Sequence, residues 1–146
     1  MVSAITNTGR VHFRIYREAM NADLMKDFLE RLLKDESKHK VYVICDNLNV
    51  HHSKPVKAWL EEQKARISMF HLPSYAPEYN PDEYLNSDLK TSVASKPQAK
   101  NLDDLQTATE EFMAFLSDKP KHVAAYFEHE KVAEYHDAGV GDAATE

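Results

Sequence analysis

The chain has one cysteine, one tryptophan and only three glycines in 146 residues. A single cysteine, Cys45, cannot close an intrachain disulfide, so a disulfide-stapled scaffold is excluded and a reducing, cytoplasmic setting is expected. Cys45 sits in an apolar run, where it reads as a small buried core residue. Two of the glycines, Gly139 and Gly141, lie near the C-terminus, which leaves no glycine-rich loop to cradle phosphates. No apolar run approaches the ~20 residues of a membrane span, so no membrane partner is expected. The opening MVSAITNTGR lacks the basic-then-apolar order of a signal peptide. No histidine and cysteine positions follow zinc-finger spacing, which argues against zinc. Ser53 and Ser74 lack the setting of a catalytic nucleophile.

What is present is ordinary for a globular protein: 42% hydrophobic and 29% charged residues, enough chain for one domain with a real core. The net charge of −6 speaks superficially against nucleic acid, but it is unevenly spread. Residues 1–49 carry 8 basic and 7 acidic groups, residues 50–100 carry 7 and 6, and residues 101–146 carry 3 and 11. The acidity belongs to the last third, and the first two thirds remain free to present a local basic face to phosphates. The small and acidic ending favours a domain over 1–136 and a disordered tail over 137–146.

VSAIT and VHFRIY, split by NTGR, read as a β-hairpin around a glycine-containing turn. Asn21 and Asp23 introduce a helix whose Leu24, Met25, Phe28, Leu29, Leu32 and Leu33 share one face. VYVIC (41–45) is a continuous apolar run, the pattern of a strand buried on both faces. Ser53 and Pro55 mark the start of a helix holding Val56, Trp59 and Leu60. ISMFHL is a further strand, ended by Pro73, and a stiff proline- and tyrosine-containing loop follows to Pro81. A helix then runs through Leu85, Leu89 and Val93, and a second through Leu102, Leu105, Phe112 and Leu116. KHVAAYFEHEKVAEY forms a last helix or a pair of short turns. The order β-β-α-β-α-β-α-α predicts an α/β fold, a mixed sheet flanked by helices.

Ligands of such sheets collect outside the carboxyl ends of parallel strands, where Asp46 stands. On spacing alone Asp46-Asn47 reads more readily as a turn or cap than as a cation ligand. Asp82 and Glu83 stand in the first turn of a helix, where acids also favour the helix dipole. One carboxylate after a strand and one on a later helix could converge on a hard divalent cation, which takes oxygen ligands and few protein carboxylates. His51 and His52 could touch a phosphate or orient a carboxylate, and His71 reads as structural.

DNLNVHHSKPVKAWLEE followed by FHLPSYAPEYNPDEYLNSDLK resembles the catalytic core of bacterial insertion-sequence transposases of the Tc1/mariner-related group. The resemblance rests on Asp46-Asn47 with His51, on the LP-x-Y-x-P-E-x-N-P pattern at 72–81, and on Glu83 just after Asn80-Pro81. It covers roughly residues 1–136. It implies a DDE-type enzyme with a ribonuclease H-like fold, a DNA substrate at transposon ends, and two Mg²⁺ or Mn²⁺ ions. Asp46 then matches the second catalytic and metal-binding carboxylate and Glu83 the third. Asn47, His51, Asn80, Lys54 and Lys90 are candidate DNA or active-site neighbours. A bacterial, nucleoid-associated protein is implied.

No aspartate before Asp46 matches the family's first carboxylate, since Asp23, Asp27 and Asp35 fall on a helix. The resemblance therefore implies an N-terminally truncated transposase lacking the first central strand, inactive alone, or else a relic or regulatory fragment that associates with full-length transposase. Without that strand, VSAIT and VYVIC each expose an unpaired edge, and self-association is expected.

Overall fold

A computed structural model of the chain describes residues 1–134; the tail expected at 137–146 lies outside the described residues. The elements follow the expected order. They are β1 (Val2–Ile5), β2 (Val11–Arg14), α1 (Ala22–Asp35), β3 (Val41–Cys45), α2 (Lys54–Glu62), β4 (Ile67–His71), α3 (Pro81–Ala94), α4 (Leu102–Ser117) and α5 (Pro120–Ala125). Short 3₁₀ turns at Asn49–His52, Pro77–Tyr79 and Tyr126–Glu128 join them, and a further helical stretch covers 130–134. The strands form two separate two-stranded sheets, β1-β2 and β3-β4, where one mixed sheet was expected. The chain divides into two compact units, one of residues 1–2 and 14–77, the other of residues 3–13 and 78 onward.

In the first unit, α1 begins where the Asn21 side chain accepts from the Leu24 amide at 3.0 Å, a cap worth about 1 kcal/mol. The helix buries Met25, Phe28, Leu29, Leu32 and Leu33, and at its other end Arg66 donates to the Leu33 carbonyl at 3.0 Å. Ser53 is the residue before α2, but its hydroxyl makes no capping bond and is buried without a hydrogen-bond partner among the described residues. Pro55 presets the first turn instead. β3 and β4 pair in parallel with Val41 opposite Ile67 and Cys45 opposite His71. Val41, Val43, Ile67 and Met69 pack with Met25, Leu29, Leu33, Val56 and Trp59.

VYVIC is not buried on both faces. Tyr42 and Ile44 are 64% and 49% exposed, and Phe70 beside them 54%. The reason is topological: α1 and α2 supply the apolar partners of one face of this two-stranded sheet, so the alternate side chains turn outward. Tyr42 and Phe70 stack there, their centroids 6.4 Å apart.

In the second unit the hairpin turn ends on Gly9 at φ +94°. The Gly9 amide donates to the Thr6 carbonyl at 3.0 Å and the Thr6 amide to the Arg10 carbonyl at 3.0 Å, the bulged three-residue loop that needs a left-handed glycine. Ile5, Val11 and Phe13 pack on the cluster of Leu85, Phe112, Met113, Leu116, Val123 and Tyr126. Leu102 and Leu105, expected on the buried face of α4, are exposed; burial on that helix is confined to Thr109, Phe112, Met113 and Leu116. Asp88 accepts from Tyr126 at 2.5 Å and pairs with His122 at 2.9 Å. Burial alone would raise the Asp88 pKa, but these two bonds outweigh it and hold the carboxyl below its ordinary range.

A Cβ on Gly9 would stand 2.2 Å from the Pro120 carbonyl oxygen and 2.6 Å from its carbon. Gly9→Ala therefore adds a backbone clash to the cost of a left-handed alanine. It is expected to destabilise by about 2–4 kcal/mol in chemical denaturation, whereas Thr8→Ala should cost under about 1 kcal/mol.

Candidate functional site

The carboxyl ends of β3 and β4 gather the polar groups of the first unit. A parallel ladder stops pairing there, so side chains and the turn that follows must satisfy the last backbone groups. The ladder's last bond runs from the Leu72 amide to the Cys45 carbonyl at 2.8 Å. The next residue, Asp46, is half-buried, and the 3₁₀ turn Asn49–His52 folds His51 back onto it. His51 is 8% exposed. Its Nδ1 lies 2.9 Å from the Asp46 carbonyl oxygen and 3.3 Å from Asp46 Oδ1. Asp46 and His51, both singled out in the sequence, are thus brought together.

His52 is exposed and stacks on His71 with centroids 4.1 Å apart. Its ring contacts the Asn47 side-chain oxygen, while the Asn47 amide donates to Ser74 Oγ at 2.9 Å. Desolvation first, then the nearby His71, Lys57 and His51, lowers the His52 pKa. Asn47 therefore ties the turn after β3 to the loop after β4. Lys54 is exposed at the start of α2.

Glu83 belongs to the second unit. Asn80 caps α3 by accepting from the Asp82 amide at 3.0 Å, and Pro81 occupies the first helical position. Asp82 receives the Ser3 hydroxyl on both carboxylate oxygens, at 2.8 and 2.9 Å. Glu83 is half-buried beside it, and its carboxylate takes no hydrogen bond or ion pair among the described residues. Structure thus consumes Asp82 and leaves Glu83 available. Lys90 is exposed on the same helix.

Three features escaped the sequence. Tyr75 is fully exposed at φ 58°, a left-handed conformation rare for an aromatic residue. Cys45 Sγ lies 3.4 Å from His71 Nδ1 and 3.5 Å from the Phe70 carbonyl oxygen. One ligand atom each from Cys45, His51 and His71 lies within 4.8 Å of the others. Their separations along the chain carry no metal-motif signal; only the pairing of Cys45 with His71 could have revealed the group.

Burial first, and the adjacent Asp46 carboxylate second, push the Cys45 thiol up to about 12. In the metal-free native protein the thiol stays protonated through the neutral range. Its reaction with a disulfide reagent is expected to be slow and nearly unchanged between pH 7 and 9. The chain unfolded in guanidinium should react fast, with a rate rising through the ordinary thiol pKa near ~8.5. Cys45 is half-buried rather than the fully buried core residue expected, and a native rate that climbs in the same way would contradict its raised thiol pKa.

No helix among the described residues is long and apolar enough to cross a membrane. No curated protein matches the chain. The profile of the DDE superfamily endonucleases matches residues 1–106, a span holding both units' candidate carboxylates, and the chain belongs to that superfamily.

Proposed function

We propose that the chain carries part of the catalytic domain of a DDE-type insertion-sequence transposase of the Tc1/mariner-related group. Asp46 is its second catalytic carboxylate and Glu83 its third. The observation that carries this reading is Glu83: a half-buried carboxylate with no hydrogen bond or ion pair among the described residues, two positions after Pro81 in the first turn of the helix that Asn80 caps, inside the matched span. A buried or half-buried carboxylate is costly unless a cation or donor meets it.

The donors suit a hard ion. Asp46 and Glu83 offer carboxylate oxygens, the ligands that Mg²⁺ and Mn²⁺ prefer, and would hold the metal. When bound, such ions lower the pKa of water and neutralise charge on a phosphodiester, as DNA strand cleavage and strand transfer require. The remaining residues position. His51 leans on Asp46 at 3.3 Å and fixes its carboxylate. Asn80 sets the first turn of α3 and with it the direction of Glu83. Lys54 and Lys90, both exposed, are suited to phosphate contacts, which fix register rather than sequence. A protein of this kind works on DNA in the bacterial nucleoid.

A first carboxylate is not assigned to these residues. Asp23, Asp27 and Asp35 all lie in α1, and Asp27 is committed to Tyr16 at 2.7 Å and Arg31 at 3.0 Å. Two carboxylates do not fix two ions in working geometry, so the chain alone is inactive on this reading. A second reading is a non-catalytic partner that associates with itself or with full-length transposase. The exposed Tyr42, Ile44 and Phe70, on a sheet of only two strands, favour it.

With Mg²⁺ or Mn²⁺, the chain is expected to leave transposon-end duplexes intact. Mn²⁺ binding followed by electron paramagnetic resonance should weaken at least about threefold, a loss of about 0.65 kcal/mol, in both Asp46→Asn and Glu83→Gln. Nicking by the wild-type chain that survives Glu83→Gln would sink the assignment. For the second reading, sedimentation should show concentration-dependent oligomers that Ile44→Lys dissociates. A monomer at every concentration, with residues 41–45 fully protected from amide exchange, would remove it.

A further inference from the structure

We infer that Cys45, His51 and His71 form a binding site for a borderline-soft divalent cation of the zinc class, separate from the carboxylate chemistry assigned to Asp46. The site arises from the strand register. Cys45 and His71 are the last pair of the β3-β4 ladder, so both project to the same face, the one carrying Val41, Val43, Ile67 and Met69. His51 arrives from the 3₁₀ turn that follows Asp46. The three ligand atoms lie within 4.8 Å of one another.

The spacing suits a tetrahedral ion. Zinc–sulfur and zinc–nitrogen bonds of about 2.3 and 2.05 Å at the tetrahedral angle place sulfur and nitrogen about 3.5 Å apart. Cys45 Sγ and His71 Nδ1 are already 3.4 Å apart. Hydrogen bonding explains the cluster less well. A thiol is a weak donor, and the contact from His71 Nδ1 to the Asp46 carbonyl oxygen is long at 3.5 Å, that oxygen being served by His51 at 2.9 Å.

The donor set selects the ion. One sulfur and two imidazole nitrogens favour zinc, or cobalt in its place, over Mg²⁺, which demands oxygen. Three protein ligands leave the fourth position of the tetrahedron to water or another ligand, the arrangement of an open rather than a purely structural zinc site. His51 Nδ1 lies 2.9 Å from the Asp46 carbonyl oxygen, the kind of backbone partner that orients a metal-binding imidazole, and His52 stacks on His71. An open groove along β4, lined by His51, Lys57, Ser68, Phe70 and His71 among others, gives access from solvent. On binding, the thiol proton leaves to solvent and the thiolate sulfur bonds the metal.

The test is titration of the chelator-treated full chain with Co²⁺ alone and with Zn²⁺ alone. One Co²⁺ per chain is expected, with a near-ultraviolet thiolate-to-cobalt band and the intense visible bands of tetrahedral coordination. Zn²⁺ should displace it. Cys45→Ser should abolish the thiolate band, and Cys45→Ser and His71→Ala should each weaken Zn²⁺ at least about tenfold, or about 1.4 kcal/mol. His39→Ala, at an exposed histidine elsewhere, should change nothing. Asp46→Asn should keep the thiolate band while weakening Mn²⁺, and Cys45→Ser should leave Mn²⁺ binding in place, so this site and the transposase reading fail separately. Absence of the band in the wild-type chain, or Zn²⁺ affinity unchanged in Cys45→Ser, overturns the proposal.

Discussion

The parallel register of β3 on β4 is the constraint from which the first unit follows. Val41 stands opposite Ile67 and Cys45 opposite His71, so one choice of register decides every facing side chain along both strands. Val41, Val43, Ile67 and Met69 meet the helices, while Tyr42, Ile44 and Phe70 face away. A slip of one residue would send Tyr42 and Ile44 inward and the thiol outward, because the side-chain period of a strand is 2. Hydrophobic burial against α1 and α2 fixes the register, and the register then sets the chemistry at the strand ends.

That chemistry is concentrated within a few residues. Asp46 supplies oxygen and belongs with hard cations; Cys45, His51 and His71 supply sulfur and nitrogen and belong with softer ones. His51 stands at the junction, touching the Asp46 carbonyl and carboxylate while lying among the soft ligands. The crowding is a product of topology: when two parallel strands end together, the turns that follow bring their polar side chains to one place.

The second unit divides its acids between structure and availability. Asp82 takes the Ser3 hydroxyl, linking β1 to the start of α3, and Asp88 takes Tyr126 and His122, linking α3 to α5 and the 3₁₀ turn after it. Glu83, between them in sequence, takes no such bond among the described residues. Gly9 holds the hairpin turn against Pro120 at a distance that only a hydrogen side chain permits. Contacts between segments far apart in sequence thus hold β1 on the first turn of α3, the middle of α3 on α5 and the turn after it, and the hairpin turn on the start of α5.

The sequence by itself determined the element order, since the 3.6-residue periodicity of α1 and α3, the asparagines at their starts, Pro81 and the turn glycine are local signals that local physics obeys. It also carried the superfamily, through Asp46-Asn47, the proline-rich loop and Glu83, and the DDE superfamily endonuclease profile over residues 1–106 agrees at that level. It misjudged VYVIC as doubly buried and Leu102 and Leu105 as core, because apolar composition says that a residue can be covered without saying what covers it. Only the tertiary structure decided that the strands form two small sheets and that Asp82 is bonded while Glu83 is not. It alone brought Cys45, His51 and His71 into one cluster. Each of these depends on which distant segments pair and in what register, a property of the packed chain that no local window contains.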